Sequence, residues 1–210
     1  MEIALGTKAP NFRARTTLGE IDFYSWLDGN WGLLFSHPED YTPVCTTELG
    51  LVAKLKSEFQ ERNIKAIALS VDSLDSHFGW IKDIELSMNT KVEFPIIADE
   101  NKEVAKLYNM IHEHVSDNST VRSVFIIGPD KRIRLILTYP MAVGRNFDEI
   151  IRVIDALQLT EKHSVVTPAN WKQDEEVIIS PDLMGDELET QFPNGYKQVT
   201  NYLRYTSKPK

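Results

Sequence analysis

The sequence has 210 residues, with 31 Asp and Glu against 23 Lys and Arg and a formal net charge of −8 at pH 7. This charge repels phosphate backbones, and no cluster of basic and aromatic residues reverses it locally, so we expect no nucleic-acid partner. The single cysteine excludes an intrachain disulfide, and no run reaches the ~18 apolar residues of a membrane span. With no signal-peptide pattern at the N-terminus, we predict a cytoplasmic protein.

The first 160 residues alternate between β-rich apolar runs and amphipathic helical patterns. We predict strands over 31–37, 64–71 and 94–98, the last weakened by Pro95, which indicates a strand end or an edge strand. A helical face follows the first strand, with apolar residues at Leu49, Val52, Leu55 and Phe59. Further helices are predicted over 76–84 and 101–108.

A β-hairpin is predicted over 121–140, because two apolar runs flank the turn residues 128–130. An amphipathic helix follows over 147–157. Strands that alternate with helices, together with a hairpin, indicate an α/β fold with a central mixed β-sheet flanked by helices. Turn residues become frequent after Leu159, so we predict a main domain over 1–160 and a small C-terminal domain over 161–210.

The only cysteine lies where the first apolar strand gives way to a helical pattern. If Thr42 is the N-cap of this helix, Pro43 occupies N1 and Cys45 occupies N3. The sulfur then lies beside unpaired backbone N–H groups and the positive end of the helix dipole, where an anion is favoured. The position suits a nucleophilic thiolate, although a lone cysteine is also commonly a small buried apolar residue.

Several motifs in this chain resemble those of one enzyme family. Pro38, Thr42 and Cys45 fit the pattern P-x-x-x-T-x-x-C, the active-site signature of peroxiredoxins, and the surrounding SHPEDYTPVCTTELG is similar to the one-cysteine branch typified by peroxiredoxin 6. The similarity continues through HFGWIKDI, FPIIADEN, VRSVFIIGPDK, YPMAVGRNFDEIIRVIDALQLT and YLRYT. It covers essentially the whole chain.

The resemblance implies a thioredoxin-like fold and the reduction of hydrogen peroxide or organic hydroperoxides by thiolate attack. Cys45 would be the nucleophile and would become a sulfenic acid. Thr42 would donate a hydrogen bond to the peroxide or the sulfur, and Pro38 would shield the sulfur from bulk water. Arg122 matches the active-site arginine of the family and would stabilise the thiolate and the charge that develops on the leaving oxygen. No cofactor and no metal are expected.

Three further residues are implied as supporting groups. Glu48, three residues after Cys45, would orient Arg122 and Arg145, although Glu48 also suits an ordinary first-turn carboxylate and Arg145 an ordinary loop residue. His37 matches a histidine that lies near the sulfur in this branch. It would either tune the thiolate or serve as a hydrogen-bonded histidine at a strand end.

Other functions are less consistent with the sequence. A dithiol oxidoreductase needs a second cysteine at position 48, which is Glu48, and a cysteine phosphatase needs an arginine at position 51, which is Leu51. The histidines of 112–114 fall short of a zinc ligand set. The phospholipase residues of some relatives are replaced by Asn30 and Tyr24. A redox sensor or holdase that uses Cys45 remains the alternative, because it needs the same activated thiol.

The predicted partners follow from the single cysteine and from the hairpin. With no second cysteine, the sulfenic acid must be reduced by an external reductant, and glutathione with a carrier protein, a thioredoxin-like protein and ascorbate all remain open. The second hairpin strand is an expected sheet edge that invites pairing. Together with the resemblance, this predicts a homodimer whose interface includes Arg132 to Leu137 and part of the region after Leu159.

Overall fold

The structure is a computed structural model that describes residues 3–116 and 118–209, and it contains two compact units, Met1–Phe147 and Asp148–Lys210. The predicted boundary near residue 160 therefore falls inside the second unit. The reason is the packing of the helix that ends near there. Its residues Ala156 and Leu159 contact Trp171 and Val177 of the C-terminal segment, so this helix belongs with the residues that follow it.

The first unit is built on a seven-stranded mixed sheet. In sheet order, the strands are β2 (Gly19–Asp22), β1 (Arg13–Thr16), β5 (Ile96–Ala98), β4 (Ile64–Ser70), β3 (Trp31–Ser36), β6 (Arg122–Ile127) and β7 (Ile133–Tyr139). β3 runs parallel to β4 and antiparallel to β6. β3 and β6 are buried along their full length, as expected for central strands with both faces covered.

Within residues 3–116 and 118–146, five helices accompany this sheet. They are α1 (Phe23–Leu27), α2 (Pro43–Lys54), α3 (Lys56–Glu61), α4 (Leu74–Met88) and α5 (Glu103–Leu107). α4 begins at an N-cap, Ser73, whose side chain accepts a hydrogen bond from the Ser76 N–H, and ends at Asn89 in the left-handed conformation. α2 and α4 pack against each other through Gly50, which leaves room for the Met88 side chain.

The structure confirms the predicted α/β sheet architecture and refines several elements. The 121–140 region is a hairpin, and β7 is an edge strand, as predicted. Pro95 immediately precedes β5, which is consistent with a strand end, but β5 lies between β1 and β4 and is not an edge. The β1–β2 hairpin and α1 were not predicted, because their short segments carry no clear apolar period.

The second unit contains most of α6 (Phe147–Lys162) and a separate four-stranded sheet. The remaining elements are β8 (Val165–Val166), β9 (Val177–Ile179), α7 (Asp186–Gln191), β10 (Lys197–Gln198) and β11 (Arg204–Thr206), with the sheet order β10-β11-β9-β8. These strands have two or three residues each, which explains why only turn signals were visible in the sequence. Within the described residues, no helix combines the length and apolar character needed to cross a membrane.

Candidate active site

The lone cysteine lies in the first turn of α2, as the Thr-Pro pair predicts. Thr42 is the N-cap residue with an extended backbone (φ −108°, ψ 147°), Pro43 is the first helical residue, and Cys45 is fully buried. The Thr42 side chain does not cap the helix. Its hydroxyl donates to the backbone oxygen of Glu39 at 2.8 Å, so it must change partner before it can donate to a substrate.

A cation reaches the sulfur from the neighbouring strand. Arg122, the first residue of β6, lies 3% exposed and donates from Nη1 to the Sγ of Cys45 at 3.3 Å. The same guanidinium donates to the backbone oxygen of Met141 from Nε at 2.8 Å and from Nη2 at 2.6 Å. A cation beside the sulfur is the surrounding expected for a reactive cysteine rather than for an inert buried one.

Glu48 joins the two predicted arginines. Its Oε2 accepts from Arg122 Nη1 at 2.8 Å and from Arg145 Nη2 at 2.6 Å, while its Oε1 accepts from Arg145 Nε at 3.0 Å. The backbone N–H of Arg145 also donates to Oε1 at 2.7 Å. The structure therefore brings Cys45, Glu48, Arg122 and Arg145 into one connected group.

Arg145 also holds the ends of two central strands in place. Its Nη1 donates to the backbone oxygens of Ser36 at 2.8 Å and Ser123 at 3.0 Å, and its guanidinium lies over the Phe35 ring at 5.1 Å. No hydrogen bond from Arg145 to the sulfur occurs in the described part of the chain. Arg145 thus fixes the frame in which Glu48 and Arg122 meet Cys45.

The buried charges favour an anion at the sulfur. Burial alone would raise the pKa of Glu48, but hydrogen bonds and charge from Arg145, with the charge of Arg122, hold it below its usual value. Burial lowers the pKa of Arg145, whereas the hydrogen bond and the negative charge of Glu48 raise it. The guanidinium of Arg145 stays protonated, as guanidinium groups do in proteins. Two cations against one carboxylate leave one unit of positive charge, which the Cys45 thiolate would balance.

His37 and Pro38 are both buried in the loop between β3 and α2. His37 hydrogen-bonds through Nε2 to Asp40 Oδ1 at 2.9 Å, and its ring lies 5.1 Å from that of Trp80. No hydrogen bond joins His37 to Cys45 among the described residues. His37 is thus bonded through one ring nitrogen, while its Nδ1 is buried without a hydrogen-bond partner in the described part of the chain. The role of His37 and the shielding role of Pro38 both stay predictions.

The structure adds a set of polar residues that the sequence analysis did not assign. Asp40 bridges His37 and His77, and Asp72 accepts hydrogen bonds from the Asp40 N–H and from Ser70. The donor atoms of His37, Asp40 and Asp72 lie within 4.8 Å of one another, a spacing that could hold a metal ion. Their oxygens already accept protein hydrogen bonds, so we treat these residues as a hydrogen-bond network. In the sequence, the H-P-x-D pattern at residues 37–40 is the signal that could have indicated this network.

Two family models match the chain. The model described as the AhpC/TSA family covers residues 5–136, and the model of the C-terminal domain of 1-Cys peroxiredoxin covers residues 156–190. A 1-Cys peroxiredoxin of Dictyostelium discoideum is 48% identical over 207 residues, which cover 99% of this chain and 86% of the relative. Peroxiredoxin-6 of Rattus norvegicus is 48% identical over 220 residues, covering 99% and 98% of the two chains.

Solved structures give the same assignment. A crystal structure of a cysteine-to-serine mutant of peroxiredoxin 6 from Arenicola marina superposes with a TM-score of 0.94 at 45% identity and covers all of both chains. A yeast mitochondrial 1-Cys peroxiredoxin gives a TM-score of 0.91 at 49% identity, covering 98% of this chain and 100% of that one. With its single cysteine, the chain belongs to the AhpC/TSA family as a one-cysteine peroxiredoxin, a thiol peroxidase.

Proposed function

We propose that Cys45 is the residue that attacks the peroxide and that Arg122 makes this attack fast. The observation that carries the proposal is the 3.3 Å contact between Arg122 Nη1 and the Cys45 sulfur inside a buried network with one excess positive charge. The thiolate forms an S–O bond with the peroxide oxygen that bears hydrogen. The O–O bond breaks, its electron pair leaves on the other oxygen, and a proton from water neutralises that oxygen.

Arg122 and Thr42 act on the reacting oxygens. One hydrogen on Nη2 of Arg122 has no protein partner among the described residues, so it is available to donate to the leaving oxygen as charge develops there. The Thr42 hydroxyl exchanges its bond to Glu39 for a bond to the peroxide. The Arg122 guanidinium is fixed before the reaction by Glu48 and Met141, so it needs no reorganisation in the transition state, and this lowers the barrier.

The supporting residues act through these two groups. Glu48 fixes the orientation of the Arg122 guanidinium, and Arg145 fixes Glu48 while tying β3 to β6. Pro38, buried in the same loop as His37, limits the access of water to the sulfur. The imidazole ring of His37 lies in this loop as well. The cytoplasmic location predicted from the sequence stays a prediction.

For the reductant, we propose glutathione acting with a thioredoxin-type partner. The proposal rests on the similar yeast mitochondrial protein, whose structure is described as the basis of thiol resolution through the glutathione and thioredoxin systems. Cys45 is the only cysteine of this chain, so the thiol that attacks the sulfenic acid comes from another molecule. That attack forms a mixed disulfide and releases water, and a second thiol regenerates Cys45.

A panel of reductants offered to the peroxide-treated protein tests this proposal. Glutathione, glutathione with glutaredoxin, thioredoxin with its reductase, and ascorbate are each followed by the loss of the sulfenic acid and by steady peroxide consumption. We expect a glutathione adduct of Cys45 in the intact mass, and turnover when the thioredoxin-type protein is added. Turnover with ascorbate alone, without a thiol adduct, would contradict the assignment.

We also propose that the chain forms a homodimer through the β7 edge. The start of this strand is already covered, because Gly6 and Thr7 exchange backbone hydrogen bonds with Ile133 at 2.8 and 2.9 Å. The seam proposed from the sequence, Arg132 to Leu137, is therefore narrowed to the part from Arg134 onward. Its side chains at Leu135 and Leu137 are half-buried, and an apolar edge of this kind favours pairing with a second copy. The region after Leu159 remains part of the proposed interface.

Sedimentation at micromolar protein under reducing conditions tests the dimer. We expect a mass near twice 24.0 kDa for the natural chain and a shift toward 24.0 kDa for Leu135→Lys. Leu86→Lys is the matched control, since Leu86 is 85% exposed on α4 and should leave the mass unchanged. A natural chain that sediments as a monomer would refute the proposal, and a dimeric Leu135→Lys would move the interface elsewhere.

A further inference from the structure

The residue before the N-cap of α2 has an unusual backbone conformation. Tyr41 has φ 55°, in the left-handed region, which residues with large side chains rarely adopt. Among the described non-glycine residues with a positive φ, Tyr41 is the only aromatic one, and the others are Asn, Asp and Lys. Strain of this kind persists only where the surrounding structure holds it, and it concentrates at functional sites.

The contact that holds Tyr41 is made with α4. A Cβ added to Gly79, inside α4, would lie 2.2 Å from Tyr41 Oη and 3.5 Å from Tyr41 Cζ. The end of the Tyr41 ring thus occupies space that any side chain at position 79 would need. Glycine inside a helix destabilises it relative to alanine, so the helix alone does not favour Gly79. Gly79 is suited instead to receive the Tyr41 ring.

The next residue of α4 binds the first turn of α2. Trp80 is 1% exposed, and its Nε1 donates to Thr46 Oγ1 at 3.1 Å. Thr46 in turn donates to the backbone oxygen of Thr42 from Oγ1 at 2.8 Å and from its N–H at 3.0 Å. Two neighbouring residues of α4 therefore hold the chain on either side of Thr42.

The two half-reactions of Cys45 make different demands on this turn. Cys45 is fully buried, and the 3.3 Å contact between Arg122 and its sulfur belongs to the closed turn. Oxidation by a small peroxide uses that arrangement. An external thiol such as glutathione is far larger, and its sulfur must reach Cys45 Sγ before an S–S bond can form. The first turn of α2 must therefore move outward for reduction.

Tyr41 can take part in such a movement without disturbing the core, because it is 56% exposed. When the ring leaves Gly79, residue 41 can return to a negative φ, which relieves the strain and redirects the chain at Thr42. The contact with Gly79 thus favours the closed turn, whereas the strain at Tyr41 favours opening. Segments that open locally at low free energy are typical of functional loops.

We propose that the contact between Tyr41 and Gly79 is a latch, which keeps the first turn of α2 closed while peroxide oxidises Cys45 and opens when an external thiol reduces it. In the open turn, the thiolate of glutathione forms an S–S bond with Cys45 Sγ, the S–O bond breaks, and the leaving hydroxide takes a proton to become water. Tyr41 and Gly79 act through the turn, so they are positioning residues. The inference rests on the proposed reduction of Cys45 by an external thiol.

Gly79→Ala tests the latch without loss of the helix. The new Cβ displaces the end of a mobile side chain, and alanine favours the helix, so the urea midpoint should stay the same or rise. After oxidation with one equivalent of hydrogen peroxide, we expect the glutathione adduct to form about five-fold faster or more, the lower end of what one strained residue can contribute. Oxidation should change by less than about two-fold, because the closed turn remains the major form. Intact mass follows the adduct with time.

Hydrogen exchange measures the opening directly. In Gly79→Ala, the amides of residues 42–50 should exchange about five-fold faster or more, while those of residues 103–108 should not change. Ser87→Ala is the matched control, because Ser87 is exposed near the end of the same helix, where alanine is also favourable. It should leave exchange at 42–50 and both rate constants unchanged.

A double-mutant cycle separates the latch from any effect of residue 79 on α4 alone. Tyr41→Ala removes the ring and should speed adduct formation as Gly79→Ala does. Adding Gly79→Ala to Tyr41→Ala should then change the rate by less than about two-fold, because the contact is already absent. Effects that multiply in the double variant would overturn the proposal.

The outcomes distinguish the latch from the proposed function. If no thiol reduces the oxidised natural chain, the proposed reductant and the latch both fail. If glutathione forms its adduct with the natural chain and Gly79→Ala reacts at the same rate, only the latch fails. Equal slowing of oxidation and reduction in Gly79→Ala would also refute the latch, since it would show a general distortion of the site.

Discussion

Arg122 joins the Cys45 sulfur to a buried ion network whose other members are Glu48 and Arg145. Arg122 touches the sulfur, Glu48 accepts from both guanidiniums, and Arg145 binds the backbone of β3 and β6. A buried charge network of this kind is weak support for stability in general, because desolvation offsets the attraction. Its excess positive charge lies beside the sulfur, where it would stabilise negative charge during the reaction.

Replacing the cation should separate reactivity from folding. We expect Arg122→Met to slow the oxidation of Cys45 by about 10²–10³-fold, the usual loss when one fixed donor to developing charge is removed. Rapid mixing with hydrogen peroxide, followed by tryptophan fluorescence, measures the rate constant. Arg13→Met is the control, because that side chain is 78% exposed on β1 and should leave the rate unchanged. A natural rate in Arg122→Met would remove Arg122 from the reacting group.

The residues of the site differ in how far the sequence could predict them. The helix position of Cys45 follows from Thr42 and Pro43 alone, because capping and the missing proline N–H are local effects. Arg122 lies 77 residues away in sequence, and only the family resemblance indicated its contact with the sulfur. Asp40 and His77 meet across 37 residues, and nothing local in either segment signals that pairing.

At the scale of elements, the strand predictions succeeded where the sequence contains a continuous apolar run. β3, β4, β6 and β7 were predicted within a residue or two because continuous apolar runs are typical of central strands and their neighbours. The helix predicted over 76–84 is longer in the structure, since Ser73 caps it and Asn89 ends it. The short strands of the C-terminal unit depend on pairing with one another, so their sequence carries turn signals only.

The packing of α2 against α4 gives a prediction about one glycine. A Cβ added to Gly50 would lie 2.4 Å from Met88 Cγ and 2.7 Å from Met88 Cβ, too close for either atom. We expect Gly50→Ala to destabilise the fold by about 1–3 kcal/mol, the usual cost of overpacking a core contact. Urea unfolding measures the change.

Gly144→Ala provides the comparison. Its added Cβ would meet Val44 Cγ1 at 3.5 Å, an ordinary van der Waals distance, so its stability should change by less than about 0.5 kcal/mol. Equal destabilisation by the two substitutions would show that the α2–α4 contact does not limit the size of residue 50.

At the scale of the whole molecule, the buried ionisable groups determine how stability depends on pH. The pKa of His37 is lowered by burial in the folded protein. As the pH falls below about 6.5, His37 therefore binds a proton in the unfolded chain while it is still neutral in the folded one. Asp40 and Glu48 also have lowered pKa values, so their contribution is complete above about pH 4 and is lost as the pH falls further. Both effects make the folded state less stable in acid.

We therefore expect the urea midpoint to decrease from pH 7 to 5.5 and again below pH 4. His37→Gln should remove part of the first decrease, because glutamine does not titrate, while the second decrease should persist. Measurements at one fixed protein concentration keep association constant. A midpoint that rises between pH 7 and 5.5 in the natural chain, with no such rise in His37→Gln, would show that His37 is charged in the folded protein.

The number of peroxide molecules consumed per chain is the most direct test of the account. Natural protein and Cys45→Ser are mixed with excess hydrogen peroxide and a reducing system of glutathione and a thioredoxin-type protein, and peroxide loss is followed with time. We predict that the natural chain consumes many equivalents and that Cys45→Ser, with an intact fold, consumes none above background. Consumption that stops after one equivalent under every reductant would indicate a sensor, and continued consumption by Cys45→Ser would contradict the peroxidase mechanism at Cys45.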